Sequence, residues 1–162
     1  MPWRLLNEME EIRVEIHKKE RTLRVYDGKS LIKTFAIALG FAPDGGKQAE
    51  GDGRTPEGSF YVFTKNPESK YHLSLGLSYP SVDDAERGAK ENLISNQESD
   101  SIKKAISEKR KPLQYTKLGG EIYIHGGGVE SDWTDGCIAL KNEEIAELFE
   151  LIPVGAVVEI HP

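Results

Sequence analysis

Period-two alternation of apolar and polar residues constrains this chain more than any other feature. Ile12, Val14 and Ile16 alternate with Arg13, Glu15 and His17, and Leu23 and Val25 alternate with Arg24 and Tyr26. A strand turns successive side chains to opposite faces, so the pattern predicts half-buried strands. The KKER tetrad between the two runs reads as a hairpin turn and Asp27-Gly28 as another. With residues 31–39 as a third strand, the start of the chain is an antiparallel meander. A glycine-rich, charged loop follows over 42–55. Strand character returns over 58–63 and 71–79, the latter closed by Pro80. Residues 122–125 and 137–140 read as short strands, and 157–160 as the strand that closes the sheet.

Two segments depart from this pattern. Residues 81–111 are polar and charged, with Ile102, Ala105 and Ile106 at helical spacing. They read as a helical insertion, either a solvated surface excursion or a lid over a site. Residues 142–151 read as a late packed helix. Asn142 is its expected N-cap, Glu143 and Glu144 lie in the first turn, and Ile145, Leu148, Phe149 and Ile152 form its apolar face. The expected fold class is mainly β, in one domain over 1–162.

Composition narrows the partners. A chain of 162 residues is long enough to bury about 68–70% of its unfolded surface without disulfide or metal staples. The formal net charge of −6 argues against nucleic acid and against an anionic membrane surface, both of which attract basic proteins. No stretch approaches the ~20 apolar residues of a membrane span, and residues 1–20 lack the apolar core of a signal peptide.

The single cysteine, Cys137, is either a small buried hydrophobe or a reactive thiol, and its neighbours decide which. In IYIHGGGVESDWTDGCIAL, His125 ends one apolar strand and Cys137 begins another. Two strands ending side by side bring an imidazole within reach of a thiol. A free thiol with a pKa of ~8.5 is only a few per cent thiolate at pH 7, so full deprotonation gains at most about 30-fold in nucleophile. One oxyanion donor is worth more, about 10²–10³ in rate. Backbone N–H groups around Gly136 and Cys137 are therefore expected to matter as much as His125.

These residues resemble the active-site signature of the YkuD-type L,D-transpeptidases, a His-Gly strand followed by Ser/Thr-x-Gly-Cys. Here that signature stands as His125-Gly126 and Thr134-Asp135-Gly136-Cys137. The GDGRTPEGSF segment (51–60) and the closing PVGAVVEIHP (153–162) resemble the same family. The resemblance implies a β-sandwich-like fold and a cysteine that attacks peptidoglycan stem peptides. A thioester forms as D-Ala leaves, and an amine resolves it into a 3→3 cross-link or water hydrolyses it. Cys137 is then the nucleophile and His125 its base, with Gly126, Trp133, Thr134, Asp135 and Gly136 around the substrate. The resemblance implies a place in the cell envelope or periplasm; no cofactor is expected, and the chain is expected to act as a monomer. Asp135 stands where many members carry His, and Ala139 where many carry Arg.

Simpler readings stand beside these. Trp133 is either a wall of the substrate site or packed beneath the loop. Arg54 and Glu57 are expected to pair and order the loop. His17 and His161 read as surface residues, and His72 as a solvated strand position. Glu130, Asp132 and Asp135 with His125 lack the spacing of a metal site. The competing functions are a non-catalytic peptidoglycan-binding module and a different cysteine amidase.

Overall fold

The computed structural model describes residues 11–162; the opening residues, read above as lacking a signal-peptide core, lie partly outside them. The meander forms as expected. β1 (Ile12–His17), β2 (Thr22–Asp27) and β3 (Ser30–Ala36) pair antiparallel in sequence order. Val14, Ile16, Leu23 and Val25 are fully buried while their alternating neighbours are not, which is the predicted face selection.

β4 (Gly58–Ser69) and β5 (His72–Leu77) form a long hairpin. β4 runs six residues past the strand read from sequence, through Pro67. Proline is tolerated there because the register shifts between Asn66 and Ser69, where no ladder bond from its nitrogen is needed. β6 (Tyr123–His125), β7 (Ile138–Ala139) and β8 (Val157–His161) complete one eight-stranded sheet in the order β3-β2-β1-β8-β4-β5-β6-β7. β8 was expected to close the sheet; it lies inside it, parallel to β1 and antiparallel to β4. Val158 and Ile160 are buried in that central position.

The sheet curls until its ends meet. Beyond β3 the chain reaches β7, where Ala38 and Ala139 exchange both backbone hydrogen bonds (2.9 and 3.0 Å), and the Phe41 amide donates to the Thr134 carbonyl at 2.9 Å. The interior of this curl is a single apolar core from Val14 and Leu23 to Leu77, Ile124, Ile138 and Val158. This is the mainly β, sandwich-like architecture expected.

The helical insertion holds two helices, where sequence periodicity marked one. α1 (Val82–Lys90) and α2 (Asn96–Ser107) each start with a reciprocal capping box, Ser81 with Asp84 and Ser95 with Glu98. α1 escapes a periodicity reading because its buried residues are Ala85 and Gly88, too small to register as an apolar stripe. A Cβ at Gly88 would lie 2.9 Å from the end of the Leu118 side chain, which would have to shift. α1 and α2 share a small core of Ala85, Ile94, Ile102 and Leu118.

α3 (Asn142–Leu151) buries Ile145 and Leu148 as expected. Its N-cap is Lys141, not Asn142, and no side chain caps it. The Asn142 side chain turns away and accepts a hydrogen bond from the Gly127 amide at 3.0 Å. It ties the helix to the loop after His125. No described helix is long and apolar enough to cross a membrane.

Candidate active site

β6 and β7 run parallel, with Ile124 opposite Ile138 and His125 opposite Ala139. Extending that register by one residue sets Cys137 beside Tyr123. Tyr123, His125 and Cys137 then share one face of the sheet, while Ile124 and Ile138 face the core. One strand spacing across and two residues along separate the His125 and Cys137 Cα atoms by about 8 Å, within reach of facing side chains. Both residues line one cavity of about 540 Å³, together with Trp133, Thr134 and Asp135.

The loop between the two strands is built to aim them. Thr134 is buried; its hydroxyl donates to the Cys137 carbonyl at 2.7 Å and accepts from the Gly136 amide at 3.1 Å. Its own amide and carbonyl bond Leu39 and Phe41. Asp132 accepts from the Leu39 amide at 2.9 Å and pairs with Arg21 at 2.8 Å. Burial raises the Asp132 carboxyl, but Arg21 and the Leu39 amide more than offset it, and the pKa ends below its ordinary value. This anion is a strut for the loop. No metal-binding group of three or more His, Cys, Asp or Glu exists among the described residues.

Gly126 and Gly136 do not line the cavity; both are buried in the turns behind it. A Cβ at Gly126 would meet Asn142 Oδ1 at 2.5 Å. Gly136 has φ +141°, and a Cβ there would lie 2.8 Å from the Arg54 carbonyl. Its amide is tied to the Thr134 hydroxyl. We predict that Gly136→Ala lowers stability by about 1–3 kcal/mol and moves the thiol. A lowered thermal midpoint with slower thiol alkylation checks this; wild-type values for both contradict it.

His125 is held on three sides. Its Nδ1 donates to the Gly126 carbonyl at 2.5 Å, which places the proton on Nδ1 and leaves the Nε2 lone pair free. Tyr71 stacks on the ring at 4.7 Å and 24°, and Trp133 meets it edge-on at 5.6 Å. Trp133 therefore does both things considered for it: it walls the cavity, and its indole N–H ties it to the Gly128 carbonyl at 3.0 Å. Burial lowers the His125 pKa, against the opposing pull of the Gly126 carbonyl. The imidazole is neutral at pH 7.

Cys137 Sγ donates to the Glu121 carbonyl at 3.3 Å and accepts from the Tyr123 amide at 3.4 Å. Burial pushes the thiol up to about 11. The Tyr123 amide opposes this, the charges of Asp135 and Glu121 add to it, and Lys47 draws it back. The resting pair is a thiol and a neutral imidazole, not a thiolate and an imidazolium. They share the cavity, and among the described residues no hydrogen bond joins them. The sulfur is half-buried and opens onto the cavity.

Several lining residues escape a sequence reading: Lys47, Glu50, Tyr71, Glu121 and Tyr123. Tyr123 was signalled by standing two residues before His125 on one strand. The others are brought in by loops. Glu57 pairs with Lys18 at 3.1 Å, not with Arg54. His17 and His161 are partly exposed and stack on each other at 5.0 Å. His72 is exposed.

The L,D-transpeptidase catalytic domain family (YkuD) matches residues 11–160. The chain belongs to this family. Among solved structures it is similar to the helical cell shape determining protein Pgp2 from Campylobacter jejuni, at 26% identity and a TM-score of 0.66, over 93% of this chain and 47% of that one. The fold also matches the L,D-transpeptidase from Mycobacterium smegmatis, at 12% identity and a TM-score of 0.56, over 94% and 59%. L,D-transpeptidase 1 from Mycobacterium tuberculosis gives 13% and 0.54, over 94% and 62%. The chain thus spans about half the length of Pgp2. A search of curated proteins gave no match.

Proposed function

We propose that this L,D-transpeptidase family member is a cysteine acyltransferase acting on peptidoglycan stem peptides in the cell envelope. The observation that carries the reading is one cavity lined by a lone thiol and by an imidazole whose Nδ1 proton is fixed, so that Nε2 is the available base.

The thiol leaves the Glu121 carbonyl by rotation about its side-chain torsion and turns to His125. Nε2 takes the S–H proton as Sγ attacks the carbonyl between the third stem residue and terminal D-Ala. The Cys137 amide faces the developing oxyanion. The imidazolium then protonates the departing amine, the C–N bond breaks, and D-Ala leaves a thioester on Cys137. An amine of a second stem resolves it to a 3→3 cross-link, with its proton passing to His125; water in its place gives carboxypeptidation.

Asp135 is exposed on the cavity rim, and we assign it the attraction of the acceptor's cationic amine. Asp135→Asn is expected to lower dimer formation relative to hydrolysis by about fivefold, the size of one exposed charge interaction. An unchanged dimer-to-hydrolysis ratio sinks that role.

The whole reading is tested on purified tetrapeptide muropeptides by mass spectrometry. D-Ala release with dimers supports transpeptidation, and release alone supports carboxypeptidation. Retained binding with neither product supports a non-catalytic module. Turnover of some other acyl substrate instead supports a different amidase. The similarity to Pgp2, a cell shape determining protein, makes altered cell shape the phenotype to seek on deletion.

A further inference from the structure

Two lysines are buried around the 42–55 loop, and they differ in one respect. An ammonium group carries three protons. Lys18 matches all three, to the carbonyls of Gly45 and Thr55, both at 2.8 Å, and to Glu57 at 3.1 Å. It is a complete staple. Lys47 is also buried, with a side chain only 3% exposed. It matches two protons among the described residues, to the Ala49 carbonyl at 3.1 Å and to Asp52 at 3.0 Å.

Asp52 cannot supply a third partner. Its other oxygen accepts from the Gln48 and Ala49 amides, and the oxygen that meets Lys47 also accepts from the Arg54 amide. The lysine stem is closed in by Gly119, where an added Cβ would lie 2.8 Å from Lys47 Cε. Lys47 nevertheless lines the cavity that holds Cys137, and its charge is felt at the sulfur. A desolvated ammonium short of one acceptor, in the wall of a nucleophile's cavity, is a place for an anion.

The other charges of the cavity restrict which anion, and where. Glu50, Glu68, Glu121 and Asp135 line the same space, and Lys70 is the other cation. Lys70 is exposed, over the ring of Tyr71 at 5.3 Å, where solvent weakens its pull. A carboxylate entering this largely acidic space meets two lysines, of which Lys47 alone is buried and held in place. A stem peptide with its scissile carbonyl at Cys137 carries such a group one residue further on, the free carboxylate of its last residue.

We propose that Lys47 is a specificity-determining residue that binds the terminal carboxylate of the leaving amino acid. The site thereby selects stems with a free C-terminus over amidated or extended ones. This rests on the acyl-transfer reading above and deepens it.

The test compares a stem tetrapeptide with its C-terminal amide. The wild-type protein is expected to favour the free acid in kcat/KM by about 10–100-fold, the scale of one charged hydrogen bond. Lys47→Met is expected to bring the acid-to-amide ratio of kcat/KM close to one, while Lys47→Arg restores part of the preference. Equal wild-type rates on acid and amide overturn the proposal, and that comparison does not depend on any variant folding. Equal losses on both substrates in Lys47→Met also overturn it, because they mark a loop staple. Calorimetry with Cys137→Ala protein separates the two readings. Preferential binding of the acid without wild-type turnover keeps Lys47 and removes acyl transfer. Turnover with equal binding of acid and amide removes Lys47 alone.

Discussion

Cys137→Ala is expected to abolish D-Ala release from tetrapeptide stems, with a loss of at least about 10⁴-fold in kcat. Removing the nucleophile of a cooperating set leaves only what binding and the oxyanion donor supply. Stem binding is expected to survive, because the Cβ stays in place and the loop is held by Thr134, Asp132 and Arg21 rather than by sulfur. Stability is expected to change by less than about 1 kcal/mol, since the thiol gives up only two weak contacts at 3.3 and 3.4 Å. Retained turnover in this variant, measured by released D-Ala, is incompatible with a cysteine mechanism. Lost binding together with lost turnover would point to a collapsed loop instead.

His125→Gln is the second large effect, expected at about 10²–10⁴-fold in kcat/KM. Its sharper signature is the pH profile. Burial holds the imidazole below 6.5 and the thiol near 11. As pH rises through the His125 pKa the ring loses its proton and becomes a base. Wild-type kcat/KM is therefore expected to climb on the acid side of 6.5 and stay level through neutral pH. In His125→Gln that limb disappears. The residual rate instead rises with pH up to the thiol's own ionisation, because only solvent base can then take the S–H proton. An acid limb that persists in the variant would assign the titration to another group. Glu57→Gln offers a milder contrast, since its charge serves the Lys18 staple outside the cavity.

What is legible in the sequence is set by the range of the interactions involved. Alternation marked β1, β2 and the buried faces of Val14, Ile16, Leu23 and Val25 because strand periodicity is local. The central seat of β8 was not legible: its partners, β1 and β4, lie about a hundred or more residues away in the chain. α1 was hidden because Ala85 and Gly88 bury without an apolar signal. Asn142 has a good capping side chain, yet a tertiary partner, the Gly127 amide, wins it.

The same distinction applies to the site. His125, Cys137, Thr134, Asp135 and Trp133 sit within thirteen residues of one another, so a short motif marks them together. Lys47 and Tyr71 come from separate loops and meet the motif only after the sheet curls. Gly126 and Gly136 were expected around the substrate, and they stand outside the cavity lining. They allow close backbone approach behind the cavity rather than contact with what fills it.

The central claim is that the sulfur of Cys137 carries the stem peptide between donor and acceptor. The most direct measurement is the mass of protein acid-quenched during turnover of a tetrapeptide, followed by mapping of the modified fragment. The account predicts an added mass of the stem less its terminal D-Ala, on the fragment containing Cys137 and released by hydroxylamine. Turnover with an unmodified Cys137 at every quench time, or an adduct on another residue, contradicts it.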